Sequence, residues 1–258
     1  MVTRLGFVGT GVITGAIIKG LAISDLKEWP ILVSPRSRER ADALTATFAS
    51  VQVAADNQAV VDASDMVFLA IRPQIAPEVI RALTFRDGQT VVSLVAGLSI
   101  EAMADLIDAK VSITRTIPLP SVERRACVTP IMPPNSSVAE VFDALGSTIQ
   151  ISDPDVFDVY VTGSAVMATY FGMIEIAAEW MQKNGLDRAD ADTYLRNLYS
   201  NLGDTLRANP DIALDTLRSE HATAGGLNEL VYDRFLAAGG GGAFENGLDA
   251  VLERVRKA

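Results

Sequence analysis

Short runs of consecutive apolar residues alternate, through the first half of the chain, with segments whose apolar positions recur every three or four residues. Leu5-Gly6-Phe7-Val8 reads as a buried strand stopping at Gly9, and residues 12–22 carry Ile13, Ile17, Ile18 and Leu21 along one helical side. Ile31-Leu32-Val33 predicts a second strand ended by Ser34-Pro35, and 38–48 a helix with Ala41, Leu44 and Phe48 inward. The same reading gives strands at 51–53, 66–71, 91–95 and 111–115, and helices at 58–63, 77–83 and 100–107. Near-continuous apolar strands between helices predict an α/β fold with a parallel sheet covered on both faces.

The second half reads differently. Apolar residues run from Pro154 to Asn184 without strand punctuation and stop at Gly185; residues 187–208 form a second long amphipathic segment bounded by Asn209-Pro210. Segments 227–238 and 248–255 complete an all-helical domain, and Gly239-Gly240-Gly241-Gly242 reads as a flexible connection between helices. Ser152-Asp153-Pro154 offers an N-cap and a first-turn proline. The expected division is therefore 1–152 and 153–258.

Composition narrows the function classes. With 32 acidic against 22 basic residues the formal charge is −10, a surface that repels phosphate backbones and anionic lipid. One cysteine, Cys127, excludes an internal disulfide framework, and with a single histidine leaves no cluster for a structural metal. No uncharged apolar stretch approaches the roughly 20 residues that span a bilayer, and no signal peptide is visible. The expectation is a cytoplasmic protein acting on a small molecule.

Gly9-Thr10-Gly11 lies between the first strand and the first helix. Glycine at the first position permits a tight turn, and at the second admits a pyrophosphate to the backbone; the helix start at Val12 and Ile13 supplies unpaired N–H groups. Thr14 stands at the third position of this fingerprint, with Gly15 beside it. The placement predicts a Rossmann-type dinucleotide site. At the end of the second strand, where a carboxylate would hold the ribose hydroxyls of NAD, the chain has Ser34-Pro35-Arg36-Ser37-Arg38. Ser34, Arg36 and Ser37 suit a 2′-phosphate, so NADP(H) is expected over NAD(H). The bland alternative is a solvated basic loop.

At this point the chain resembles the pyrroline-5-carboxylate reductase family. Gly6-Phe7-Val8-Gly9-Thr10-Gly11 with Ala16-Ile17-Ile18-Lys19-Gly20-Leu21 looks like its opening strand and helix. Asp56-Asn57, Ala70-Ile71-Arg72-Pro73-Gln74 and Ser93-Leu94-Val95-Ala96-Gly97-Leu98-Ser99-Ile100 are similar to three further family segments. In the helical half, Gly163-Ser164-Ala165, Ile174-Glu175 and Gly185-Leu186 continue the match. The resemblance implies cofactor contacts at Asn57, Ala70, Arg72, Pro73, Ala96, Gly97 and Pro118. It also implies an all-helical C-terminal domain that interlocks with a second copy, hence a homodimer or higher homo-oligomer.

The substrate end departs from the family. Its Met-Pro-Asn-Thr-Pro stands here as Ile117-Pro118-Leu119-Pro120-Ser121, and its Ser-Pro-Gly-Gly-Thr-Thr as Thr223-Ala224-Gly225-Gly226-Leu227-Asn228. By the resemblance, Gly225, Gly226 and Leu227 open a helix whose N–H groups hold a substrate carboxylate. Leu227 cannot replace the threonine that reaches the imine nitrogen; Thr223 and Asn228 are the candidate replacements. His221, two positions before the loop, has the titration range of an acid, although a lone histidine is more often packing or surface. Glu175 is expected as a buried, hydrogen-bonded carboxylate or a site residue, and Tyr170 as a pocket or core side chain. The expected activity is NADPH-dependent reduction of a carboxylate-bearing, cyclic imine. Two alternatives stay open: a hydroxyacid dehydrogenase, disfavoured because residues 163–182 contain no lysine, and a non-catalytic NADP(H)-binding protein.

Overall fold

A computed structural model describes residues 2–257. The apolar runs form β1 (Leu5–Val8), β2 (Ile31–Val33), β3 (Val51–Val53), β4 (Met66–Leu69), β5 (Thr90–Ser93) and β6 (Ser112–Thr116). Between them lie α1 (Val12–Ala22), α2 (Arg38–Thr47), α3 (Asn57–Ala63), α4 (Ala76–Arg81) and α5 (Ile100–Ala104). Then come β7 (Cys127–Met132), α6 (Ser136–Asp143) and β8 (Gly146–Gln150). One eight-stranded sheet results, in the order β3-β2-β1-β4-β5-β6-β7-β8.

Consecutive strand residues point to opposite faces, which explains why the strands are apolar throughout. Phe68 packs on one face with Phe7, Ile17, Leu21, Val92 and Phe142. Its neighbours Val67 and Leu69 pack on the other face with Val91, Ile80 and Met103. Phe7 stacks on Phe68 at 4.5 Å between ring centroids, and Phe142 meets Phe68 edge-on at 6.2 Å. Burying each such ring stabilises the fold by about 1.5–3 kcal/mol.

The sheet is parallel from β3 through β6, as expected, and turns mixed beyond β6. β6 and β7 are antiparallel, Arg115 opposite Met132 and Thr116 opposite Ile131. Residues 117–126, which hold a 3-10 turn at Pro120–Arg124, are too few for the crossover that a parallel pair requires. β7 also carries Pro130, a residue that argues against an interior strand; β6 pairs only with Ile131 and Met132 beyond it.

The chain divides into two compact units, one running to Thr162 and including the residues from Leu252 onward, the other Gly163–Val251. The first includes most of α7 (Pro154–Gly163), whose entry is capped by Asp153 Oδ1 accepting the Asp155 N–H at 2.9 Å. There Phe157 is buried with Met132 and Ile151. The Arg115 guanidinium lies 4.7 Å from the Phe157 ring centre and 3.4 Å from Asp158 Oδ1. Burial lowers the Arg115 pKa, with Asp158 and then Glu101 opposing that shift.

The second unit is helical: α8 (Met167–Lys183), α9 (Arg188–Ala208), α10 (Leu214–Glu220), α11 (Leu227–Ala237) and most of α12 (Gly240–Arg256). Gly185, at φ +98°, ends α8, with the Leu186 N–H donating to the Met181 carbonyl at 3.2 Å. Four expectations are corrected. Gly240 to Gly242 are the first turn of α12 and not a flexible connection, because Gly240 lies against the Phe235 ring with no room for a methyl group. Glu175 is exposed and not buried; Asp192 raises the Arg188 pKa, desolvation opposes that rise, and Glu175 adds a smaller one. Tyr170 is 45% exposed, edge-on to Phe171 and Tyr199 and outside the core. Finally, among the described residues the helical span Pro154–Lys183 is long and apolar enough to cross a bilayer, by length and composition only. Its charges, Asp155 and Asp158 at one end and Glu175, Glu179 and Lys183 at the other, leave 159–174 uncharged.

Candidate functional site

The parallel strands β1 to β6 end at one edge of the first unit's sheet, and most of the candidate cofactor residues follow those ends directly. Gly9, Gly11, Val12 and Ile13 follow β1; Ser34, Arg36 and Ser37 follow β2; Asn57 follows β3. Ala70, Arg72 and Pro73 follow β4, Ala96 and Gly97 follow β5, and Pro118 follows β6. The strand order reverses between β1 and β4, which opens a crevice where open α/β sheets bind ligands.

The glycine turn is held from three sides. Gly9 has φ +107°, and an added methyl would collide with the Ala70 carbonyl, so only glycine fits. Its N–H donates to Ser34 Oγ at 2.9 Å, and its carbonyl accepts from Thr14 Oγ1 at 2.7 Å. The Thr10 hydroxyl donates to the Ser34 carbonyl at 2.6 Å. Ser34 and Thr14 are fully buried. Ser34 therefore braces the turn with a hydroxyl that faces inward, while Arg36 is exposed and Ser37 half-buried beside it.

Gly11 caps α1 without a side-chain hydrogen bond, and a methyl group built on it would meet nothing within 4 Å. Val12 is 66% exposed, whereas Ile13 leans on the core. The first turn of α1 thus presents unpartnered N–H groups and positive helix potential to open space, a cradle that fits a pyrophosphate. Arg72, Pro73 and Ala96 are exposed, and Asn57, Ala70, Gly97 and Pro118 half-buried. Asp56 caps α3, its Oδ1 accepting the Ala59 N–H at 2.8 Å, which sets Asn57 at the first helical position.

In the second unit the loop 221–228 joins α10 to α11. His221 ends α10, and its Nδ1–H donates to the Leu217 carbonyl at 2.8 Å. The Asn228 amide donates to the His221 carbonyl at 2.8 Å. The Gly226 N–H closes a turn onto the Thr223 carbonyl at 2.7 Å. Gly225, at φ +72°, donates its N–H to Glu229 Oε2 at 2.6 Å. Leu227 opens α11 at 82% exposed. Thr223 is exposed, with no hydrogen bond from its hydroxyl among the described residues. Of the two candidate replacements, then, Asn228 is committed within the loop and Thr223 is free.

Three contributors were missed in the sequence. Thr10 and the buried role of Ser34 carry no local signal, since their partners lie 24 and 25 residues away. Glu229 did carry one: a carboxylate three residues past a helix cap has the spacing of a capping box.

Residues 4–97 match the family described as NADP oxidoreductase coenzyme F420-dependent. The pyrroline-5-carboxylate reductase of Haemophilus influenzae is 27% identical over 263 residues, covering 97% of this chain and 95% of that protein. The crystal structure of 1-pyrroline-5-carboxylate reductase from Streptococcus pyogenes superposes with a TM-score of 0.84 at 22% identity, covering 99% of each chain. That of Plasmodium falciparum pyrroline carboxylate reductase with NADP bound gives 0.80 at 17% identity, covering 99% of this chain and 97% of the other.

Proposed function

We infer that the chain is a member of the pyrroline-5-carboxylate reductase family and an NAD(P)H-dependent oxidoreductase that reduces a C=N bond. The observation that carries this reading is the braced glycine turn, open above Gly11 and next to exposed Arg36. Held at this site, NAD(P)H would supply a hydride to the carbon of a protonated C=N, whose π-electron pair would be left on nitrogen as the lone pair of the amine.

The chain's own residues bind and orient. Gly9, Gly11, Val12 and Ile13 cradle the pyrophosphate. Arg36 and Ser37 take the 2′-phosphate, with Ser34 holding the turn, and this favours NADP(H) over NAD(H). Asn57, Ala70, Arg72, Pro73, Ala96, Gly97 and Pro118 line the rest of the cofactor's path along the strand ends. The substrate is a cyclic imine bearing a carboxylate, which sits at the turn Gly225-Gly226-Leu227 that opens α11, where the Leu227 N–H lacks an intrahelical acceptor while the Gly226 N–H is held by the Thr223 carbonyl and the Gly225 N–H by Glu229. Thr223 is the free hydroxyl for the imine nitrogen, and Asn228 and His221 position the loop. A protonated imine is already an electrophile, so a strong protein acid is unnecessary.

The homodimer reading rests on α8, which leaves Phe171, Ile176 and Trp180 largely exposed. The buried, free thiol of Cys127 accords with a cytoplasmic enzyme. The functional division at 152/153 keeps the cofactor strands on one side and all the long helices on the other.

The deciding experiment is NADPH oxidation with pyrroline-5-carboxylate, pyrroline-2-carboxylate and the six-membered analogue, with NADH in parallel. Turnover of at least one imine, faster with NADPH, is expected. Reduction of ketoacids with silence on every imine would overturn the reading.

A further inference from the structure

The substrate loop already contains a carboxylate. Glu229 stands at the third position of α11 and folds back over its first turn, so that Oε2 accepts the Gly225 N–H at 2.6 Å. The usual recipient of such a side chain is the cap residue's own N–H. Here the Gly226 N–H is turned onto the Thr223 carbonyl, and the carboxylate reaches one residue further, to Gly225. Gly225 adopts a left-handed φ of +72° with open space around its α-carbon, which exposes its N–H to that approach. The negative charge consequently rests at the start of α11, where the N–H groups of Leu227 and Asn228 have no intrahelical acceptor. An anion arriving there meets a donor already taken and a like charge beside it.

We propose that Glu229 is a specificity-determining residue: its carboxylate occupies part of the seat for the substrate's carboxylate, so that an acidic imine must displace it and a carboxylate-free imine need not. The proposal rests on the imine-reductase reading and on the loop 223–228 as the substrate seat. Leu227, apolar and 82% exposed at the same turn, is the complementary feature, since it favours a hydrocarbon surface where a second hydroxyl would favour a polar one.

The test compares pyrroline-5-carboxylate with 1-pyrroline, the same ring without its acid, at saturating NADPH. Glu229→Gln keeps an oxygen acceptor for the Gly225 N–H and removes the charge; Glu229→Ala removes both. The ratio of kcat/KM for the acid over kcat/KM for 1-pyrroline is expected to rise about tenfold in both variants, through a lower KM for the acid. A ratio unchanged or lowered in both variants, with wild-type imine turnover intact, would overturn the role of Glu229 and leave the reductase reading standing. A wild-type protein that binds NADPH and reduces neither imine would overturn the reading, and this proposal with it.

Discussion

The hydroxyl of Ser34 accepts the N–H of Gly9 at 2.9 Å, tying the end of β2 to the turn after β1. Ser34 is fully buried and Gly9 half-buried, and the Ser34 carbonyl is held in turn by Thr10. The loops that follow β1 and β2 are thereby tied to each other. Ser34→Ala takes the acceptor from the half-buried Gly9 N–H, at a cost of about 0.5–1.5 kcal/mol. A lower thermal midpoint and a Kd for NADPH raised about fivefold or more are expected, measured by thermal denaturation and fluorescence titration.

The two glycines of the turn have separable roles. Gly9→Ala forces a side chain to φ +107° against the Ala70 carbonyl, so the variant is expected to lose stability and cofactor binding together. Gly11→Ala meets nothing within 4 Å; its methyl projects into the open space above α1. It is expected to fold with an unchanged thermal midpoint and to lose NADPH affinity by at least about tenfold. Equal NADPH affinity in Gly11→Ala and wild type would place the pyrophosphate elsewhere.

Arg36 is exposed beside half-buried Ser37 and makes no hydrogen bond or ion pair among the described residues. Arg36→Ala is expected to weaken NADPH about tenfold, the loss of one charge-assisted contact, and to leave NADH within about twofold. Parallel titrations with the two cofactors decide it.

Arg115 and Asp158 form a buried ion pair at 3.4 Å, their side chains 8% and 13% exposed. Asp158→Ala strands a buried guanidinium and is expected to cost about 3–5 kcal/mol, read by denaturant unfolding. Arg115→Met with Asp158→Leu, which removes both charges, is expected to recover most of that loss.

Phe171, Ile176 and Trp180 of α8 are 66%, 67% and 64% exposed. Light scattering at micromolar concentration is expected to give at least twice the chain mass of 27.5 kDa. The double variant Phe171→Glu and Trp180→Glu is expected to give the monomer.

Local pattern was enough to reveal the α/β alternation of residues 5–116, because a strand buried on both faces must be apolar at every position and a covering helix on one side only. The glycine turn was equally legible, since Gly9 and Gly11 are adjacent in sequence to the strand and helix they join. What needed the tertiary structure was everything decided between distant residues. Pro130 disguised β7, and only the short 117–126 connection made its pairing with β6 antiparallel. Ser34 looked like a phosphate ligand from its place after β2, yet its hydroxyl is spent on Gly9. Gly240 read as part of a flexible connection, yet the Phe235 ring lies against it. At the substrate loop the sequence named Thr223 and Asn228 as equals; the fold committed Asn228 to the His221 carbonyl and left Thr223 free. Hydrophobic period and turn chemistry are local, so they can be read from neighbours in the chain. A hydrogen-bond partner is chosen by whatever the folded backbone brings within 3 Å, and no local pattern encodes that choice.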